Sequence, residues 1–90
     1  MVVTYVIIVY DIAQERVNKV CQFLRQYLNW IQNSVFEGDI SESKLEKIRH
    51  GIKGIIEKNE DSVIFYVLSN KKLLRKDVIG MEKNTPSTLI

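Results

Sequence analysis

The apolar run from Val2 to Tyr10 ends abruptly on a carboxylate, Asp11. A carboxylate between a strand and a helix most often serves as a cap or turn residue. Its other chemistry is that of a hard-cation ligand, since carboxylate oxygens suit magnesium, with manganese as the alternative. One carboxylate is a poor metal site. Two copies of the chain related by a two-fold axis near this strand end would bring two Asp11 side chains to a shared ion. Magnesium so held can activate water and stabilise charge on a phosphodiester. Other reactive side chains lack a pattern. His50 has no cysteine or second histidine at ligand spacing, Cys21 falls on an apolar helical stripe, and Ser34 and Ser69 have no histidine placed to activate them. Glycine-rich phosphate loops and nucleophile elbows are absent from the sequence.

Cations fall in three groups: Arg16, Lys19 and Arg25; Lys44, Lys47, Arg49 and Lys53; and Lys71, Lys72, Arg75 and Lys76. The second is interleaved with Glu42, Glu46 and Glu57 and reads as a solvated face. The third is the least neutralised, and against phosphates it would give salt-dependent affinity without sequence preference.

The elements that hold these groups follow from the apolar spacing. Val2 to Tyr10 is almost entirely β-branched or aromatic, the pattern of a central strand buried on both faces. From Ala13 to Leu28, the spacing of Val17, Val20, Cys21, Leu24 and Leu28 predicts an amphipathic helix. Trp30 to Ile40 reads as one strand or two short ones, with a bend at Asn33-Ser34 and a bulge at Gly38. Ser41 is an N-cap for a second helix whose apolar face is Leu45, Ile48, Ile52, Ile55 and Ile56, with Gly51 and Gly54 marking either a close approach or, as the favoured reading, a soft C-terminal half. A polar turn from Glu57 to Asp61 leads to a second central strand, Ser62 to Ser69, and a short β segment spans Asp77 to Met81. The order predicts an α+β, ferredoxin-like two-layer sandwich (βαββαβ) over residues 1–81. A tail over 82–90 is expected to add a short strand to a partner subunit. The helices leave one sheet face bare, and that face is the expected homodimer interface.

Composition excludes several classes. Apolar residues are 46% and charged residues 27% of the 90, the balance of a folded domain. No apolar run approaches the roughly 20 residues of a membrane span, and the N-terminal residues lack a signal-peptide pattern. A single cysteine agrees with a reducing compartment, so a cytoplasmic protein with no membrane partner is expected. The net charge of +2 is too small to announce nucleic-acid binding by itself.

Two segments together carry a resemblance: the strand ending Tyr10-Asp11-Ile12, and Gln32-Asn33-Ser34-Val35-Phe36-Glu37-Gly38 about twenty residues later. With the helix between them and the strand from Ser62 to Leu68, they make nearly the whole chain similar to the Cas two family of CRISPR-associated proteins. The resemblance implies a ferredoxin-like homodimer in which Asp11 faces its copy and binds magnesium, with Tyr10, Ser34 and Phe36 bordering the site. It implies a prokaryotic protein, a metal-dependent endonuclease of spacer acquisition acting on single-stranded RNA or double-stranded DNA. The alternative within the family is a non-catalytic, DNA-binding scaffold that bridges the CRISPR integrase. Arg16, Lys19, Lys71, Lys72, Arg75 and Lys76 are the expected nucleic-acid contacts. The chain departs from the family pattern at Trp30, where arginine is frequent, and at Asn33, where tyrosine is frequent; both bear on nuclease activity more than on fold.

Overall fold

The computed structural model of the chain describes residues 3–68 and 74–81, with Leu74 and Arg75 as backbone only. Lys71, Lys72 and the expected tail strand over 82–90 lie outside the described residues. Seven elements follow in order: β1 (Val3–Asp11), α1 (Gln14–Arg25), β2 (Asn29–Gln32), β3 (Val35–Ser41), α2 (Glu42–Ile55), β4 (Ser62–Leu68) and β5 (Leu74–Gly80). The strands form one sheet in the order β2-β3-β1-β4-β5, and every neighbouring pair is antiparallel. The first four strands and the two helices follow the expected βαββαβ path, and β5 adds a fifth strand at the edge.

Both helices lie on one face. The core joins Val6, Ile8 and Tyr10 of β1 to Phe36, Val63 and Phe65, and to Val20 and Leu24 of α1 and Leu45, Ile48 and Ile52 of α2. Alternation along β1 is strict: the even residues from Thr4 to Tyr10 are buried, Tyr5, Ile7 and Val9 are half-buried, and Val3 and Asp11 are exposed. The expectation of a strand buried on both faces therefore holds for one face only within a single chain. The continuous apolarity arises because helices cover one side while the other presents an uncovered apolar strip.

Four local expectations are corrected. Helix α1 ends at Arg25, and Gln26 to Leu28 turn back toward β2 through bonds to the Phe23 and Leu24 carbonyls. The bulge lies in β2 between Trp30 and Gln32, not at Gly38. Strand β5 begins at Leu74, because β4 pairs along its full length and the ladder carries Arg75 and Lys76 into an edge strand, where charge is tolerated. Gly51 is a close-approach position: a Cβ there would lie 2.1 Å from the Phe23 ring of α1, whereas a Cβ at Gly54 meets nothing. The bend at Asn33-Ser34 and the Ser41 cap are as expected. Asn33 adopts φ 44°, a conformation Asn tolerates, and the Ser41 hydroxyl accepts from the Lys44 amide at 3.3 Å.

The turn at 57–61, expected to be polar surface, contains a fully buried carboxylate. Asp61 accepts from the Ala13 amide (2.9 Å), the Glu57 amide (2.9 Å), and Arg16 through Nε (2.6 Å) and Nη2 (3.1 Å). Its carbonyl accepts the Met81 amide at 2.9 Å. Gly80, opposite Ser62, reaches this position with φ 96°, and a Cβ there would lie 2.3 Å from the Asp61 carbonyl oxygen. Only glycine satisfies both conditions. The bidentate Arg16 contact and the two amide donors hold the Asp61 carboxyl well below the usual carboxylate range, against burial, which pushes the other way.

Four outcomes are expected. Asp61→Ala strands the Arg16 guanidinium and two amides and should cost about 3 kcal/mol in chemical denaturation. Because the folded carboxyl titrates below its ordinary value of 3.8, its contribution is fully present above about pH 4. It is lost as pH falls below that value, so Asp61→Asn should flatten the acid limb of the stability profile. Gly54→Ala should raise stability by up to about 1 kcal/mol through helix propensity alone. Gly51→Ala should lower it, because overpacking costs of about 1–3 kcal/mol outweigh the same gain. Thermal melts of the two variants decide the sign.

Candidate active site

Asp11 ends β1 opposite Ser62 of β4 and is exposed. It is not the helix cap: α1 is preceded by Ala13, which carries no capping side chain, and the buried Asp61 takes the Ala13 amide instead. Alternation places Asp11 with Tyr5, Ile7 and Val9 on the face away from the helices. Register adds Val35 and Glu37 of β3, Ile64 and Tyr66 of β4, and Lys76 and Val78 of β5 to the same face. The result is an apolar strip of Ile7, Val9, Val35, Ile64 and Val78, with Asp11 at one end.

Polar groups flank the strip. The Tyr5 hydroxyl donates to the Glu37 carboxylate, and that bond, with burial and the nearby charge of Asp39, pushes Tyr5 up to about 12. Tyr5 therefore stays protonated near neutrality and is no general base. Lys76 is exposed across from Tyr66. Among the described residues, no three histidine, cysteine, aspartate or glutamate side chains group closely enough to hold a metal ion. As a donor set for a hard cation, the described residues of one chain thus offer Asp11 without a cluster of three ligands around it.

The remaining candidates lie elsewhere. Tyr10 and Phe36 are buried on the helix side of the sheet, with ring centroids 6.0 Å apart, so both point away from the face that carries Asp11. The Tyr10 hydroxyl lies 3.0 Å from Cys21 Sγ, and burial, with that contact, pushes its pKa further up. Cys21 is accordingly a partly buried packing residue. Ser34, in the β2–β3 turn, offers its carbonyl to the Tyr10 amide at 3.1 Å and so fixes the end of β1 next to Asp11. These three residues shape the strand end from behind. Trp30 is half-exposed at the sheet edge and donates its indole N–H to the Asn33 carbonyl at 3.0 Å, bracing the turn.

Of the expected phosphate contacts, Arg16 is committed elsewhere. Besides Asp61 it meets Glu60 at 2.9 Å and Glu15 at 3.6 Å, and its side chain is 17% exposed. Three carboxylates more than neutralise it, which makes it a structural tie and a poor anchor for backbone phosphate. Lys19 and Lys76 are exposed. The sequence gives no signal for the burial of Asp61, because a turn aspartate looks the same whether it faces water or an arginine 45 residues away.

A cavity of about 430 Å³ lies at the opposite end of β1, beside Val3, Ser41 and Lys44, remote from Asp11. No helix of the described residues is long and apolar enough to cross a membrane.

Comparison with known proteins gives a consistent result. Residues 4–76 match the family model described as CRISPR associated protein Cas2. The chain is 48% identical over 86 residues to the CRISPR-associated endoribonuclease Cas2 of Pyrococcus furiosus, an alignment covering 96% of this chain and 99% of that protein. It is 51% identical over 80 residues to the protein of the same name from Dictyoglomus turgidum, covering 89% and 92% of the two chains. A solved structure described as a crystal structure of cas2 superimposes with a TM-score of 0.73 at 40% identity, covering 98% of this chain and 99% of that one. The family match spans β1 through the start of β5, including the strand end that carries Asp11, and the chain belongs to the Cas2 family of CRISPR-associated proteins.

Proposed function

We propose that the chain is a CRISPR-associated endoribonuclease that works as a homodimer, with Asp11 of each copy forming the two halves of one magnesium site. The observation that carries this reading is the placement of Asp11: exposed, at the end of the central strand, and on the same face as an apolar strip in which Ile7, Val9, Val35 and Val78 are only half-buried within one chain. A second copy laid on that strip removes apolar surface from water. A two-fold axis near the strand ends then turns a single carboxylate into a pair. The relatives of Pyrococcus and Dictyoglomus are named endoribonucleases, which favours RNA over DNA as the substrate.

When bound, a hard divalent cation supplies positive charge to a phosphodiester and assists water to attack phosphorus, with manganese as the alternative to magnesium. This chain's residues do the rest. The two Asp11 carboxylates would hold the ion, the Tyr10–Ser34 backbone bond fixes the strand end that carries each of them, and exposed cations would hold the RNA backbone. Among the described side chains, Lys19 and Lys76 are the exposed cations of those expected from sequence; Lys71, Lys72 and the Arg75 side chain, also expected, lie outside the described residues.

Asp11→Asn keeps size and removes charge. In a single-stranded RNA assay with magnesium it should lower the cleavage rate by at least about 100-fold while leaving the dimer, measured by sedimentation, intact. Undiminished cleavage would remove Asp11 from the mechanism and favour a non-catalytic scaffold for nucleic acid and integrase. Lys76→Glu should weaken RNA binding and make it less salt-dependent, read from titrations at several salt concentrations.

A further inference from the structure

Strand β5 and helix α2 enclose a second cleft, of about 410 Å³, on the opposite side of β4 from Asp11. Its walls bring together Arg49 and Lys53 of α2, Lys58 of the following turn, and Asp77 to Gly80 of β5. Arg49 and Asp77 neutralise one another, with Glu46 also 3.4 Å from the guanidinium and the cation 5.0 Å from the centre of the Phe65 ring. That leaves Lys53 and Lys58 as the net charge of the cleft. Both are exposed, and neither takes part in an ion pair among the described residues. Glu57 and Glu60 belong to the same turn as Lys58 but do not line the cleft, and Glu60 is engaged by Arg16.

We propose that this cleft is a phosphate-holding site for the backbone of a polynucleotide, with Lys53 and Lys58 as its cationic contacts. Two further observations favour this occupant. Among the described residues β5 is the outermost strand, so its outer edge offers backbone amide donors beside the two lysines, and amides and lysines together are the usual partners of phosphate oxygens. The cleft also lies at the same end of the sheet as Asp11. Asp11 pairs with Ser62 and Ser62 with Gly80, which puts Gly80 two strand spacings away, about 10 Å. The Asp61 carboxylate sets this spacing, because it binds both the turn that carries Lys58 and the Ala13 amide that follows Asp11. A strand that passes Asp11 thus meets Lys58 and Lys53 as it rounds the β5 edge. The site rests on the reading that the chain acts on RNA, but it concerns binding and not the chemical step.

The test is therefore made on binding, with full-length protein carrying Asp11→Asn so that no substrate is consumed. Lys53→Gln with Lys58→Gln should leave the melting temperature unchanged, since both side chains are exposed. For single-stranded RNA it should lower affinity on the order of tenfold and reduce the log–log salt slope by about 1.4, at about 0.7 per lost phosphate contact. Lys44→Gln with Lys47→Gln removes equal charge from α2 outside the cleft and should change both quantities much less. Equal losses in the two double variants, or no loss in the first, would overturn the site. Competition separates the two sources of phosphate: inorganic phosphate at matched ionic strength should fail to displace the RNA, and displacement at millimolar concentration would make the cleft a small-anion site instead. Retained cleavage in Asp11→Asn would defeat the catalytic reading and leave the effect of Lys53 and Lys58 on binding to be judged on its own.

Discussion

The buried carboxylate of Asp61 is the constraint on which the working end of the molecule depends. A carboxylate removed from water is strongly unfavourable unless every lone pair is met, and Asp61 meets two backbone amides and a bidentate guanidinium. Those donors come from the β1–α1 connection, from α1, and from the α2–β4 turn, and the Asp61 main chain adds the residue after β5. The start of α1, the α2–β4 turn and the end of β5 are thereby fixed around one residue. The cap that α1 lacks in its own sequence is supplied across 48 residues. Arg16 is withdrawn from solvent to make this possible, so one of the cations expected to meet phosphate is used to build the scaffold.

The sheet divides the labour between its faces. The helix side carries the packed core, in which Phe36, Phe65 and Ile8 are fully buried and Gly51 lets α1 and α2 approach closely through Phe23. The other side keeps Asp11, the Tyr5–Glu37 pair and Lys76 around an apolar strip, a surface with a charge at its end and, among the described residues, no cluster of three metal ligands. Residues next to one another in sequence, Tyr10 and Asp11, therefore have unrelated roles, because successive strand residues face opposite sides. Tyr10 closes the core against Phe36 and Cys21 while Asp11 faces outward.

Much of this was legible in the residue order. The apolar run of β1, the helical stripes of α1 and α2, the Ser41 cap, the Asn33-Ser34 turn and the pairing of Ser62 to Leu68 beside β1 all follow from side-chain periodicity and turn chemistry, which act locally. Asp11 was legible as well, since a carboxylate ending an apolar strand is visible without coordinates. The full length of β5 was not legible, because the partner's ladder and not the propensity of Arg75-Lys76-Asp77 decides where an edge strand begins.

The sequence by itself determined the elements, the two-layer α+β arrangement and the carboxylate at the end of the first strand, because each depends on spacing within a few residues. Only the tertiary structure decided which charges are free to act. Arg16 and Asp61 lie 45 residues apart and cancel, whereas Lys53 and Lys58 flank the end of α2 and come to face β5 across a cleft. Tertiary structure also placed Asp11 on the open face and Tyr10 and Phe36 behind it. The physical reason is the same in both cases: charge pairing and face selection are set by contacts between distant segments, which no local pattern encodes.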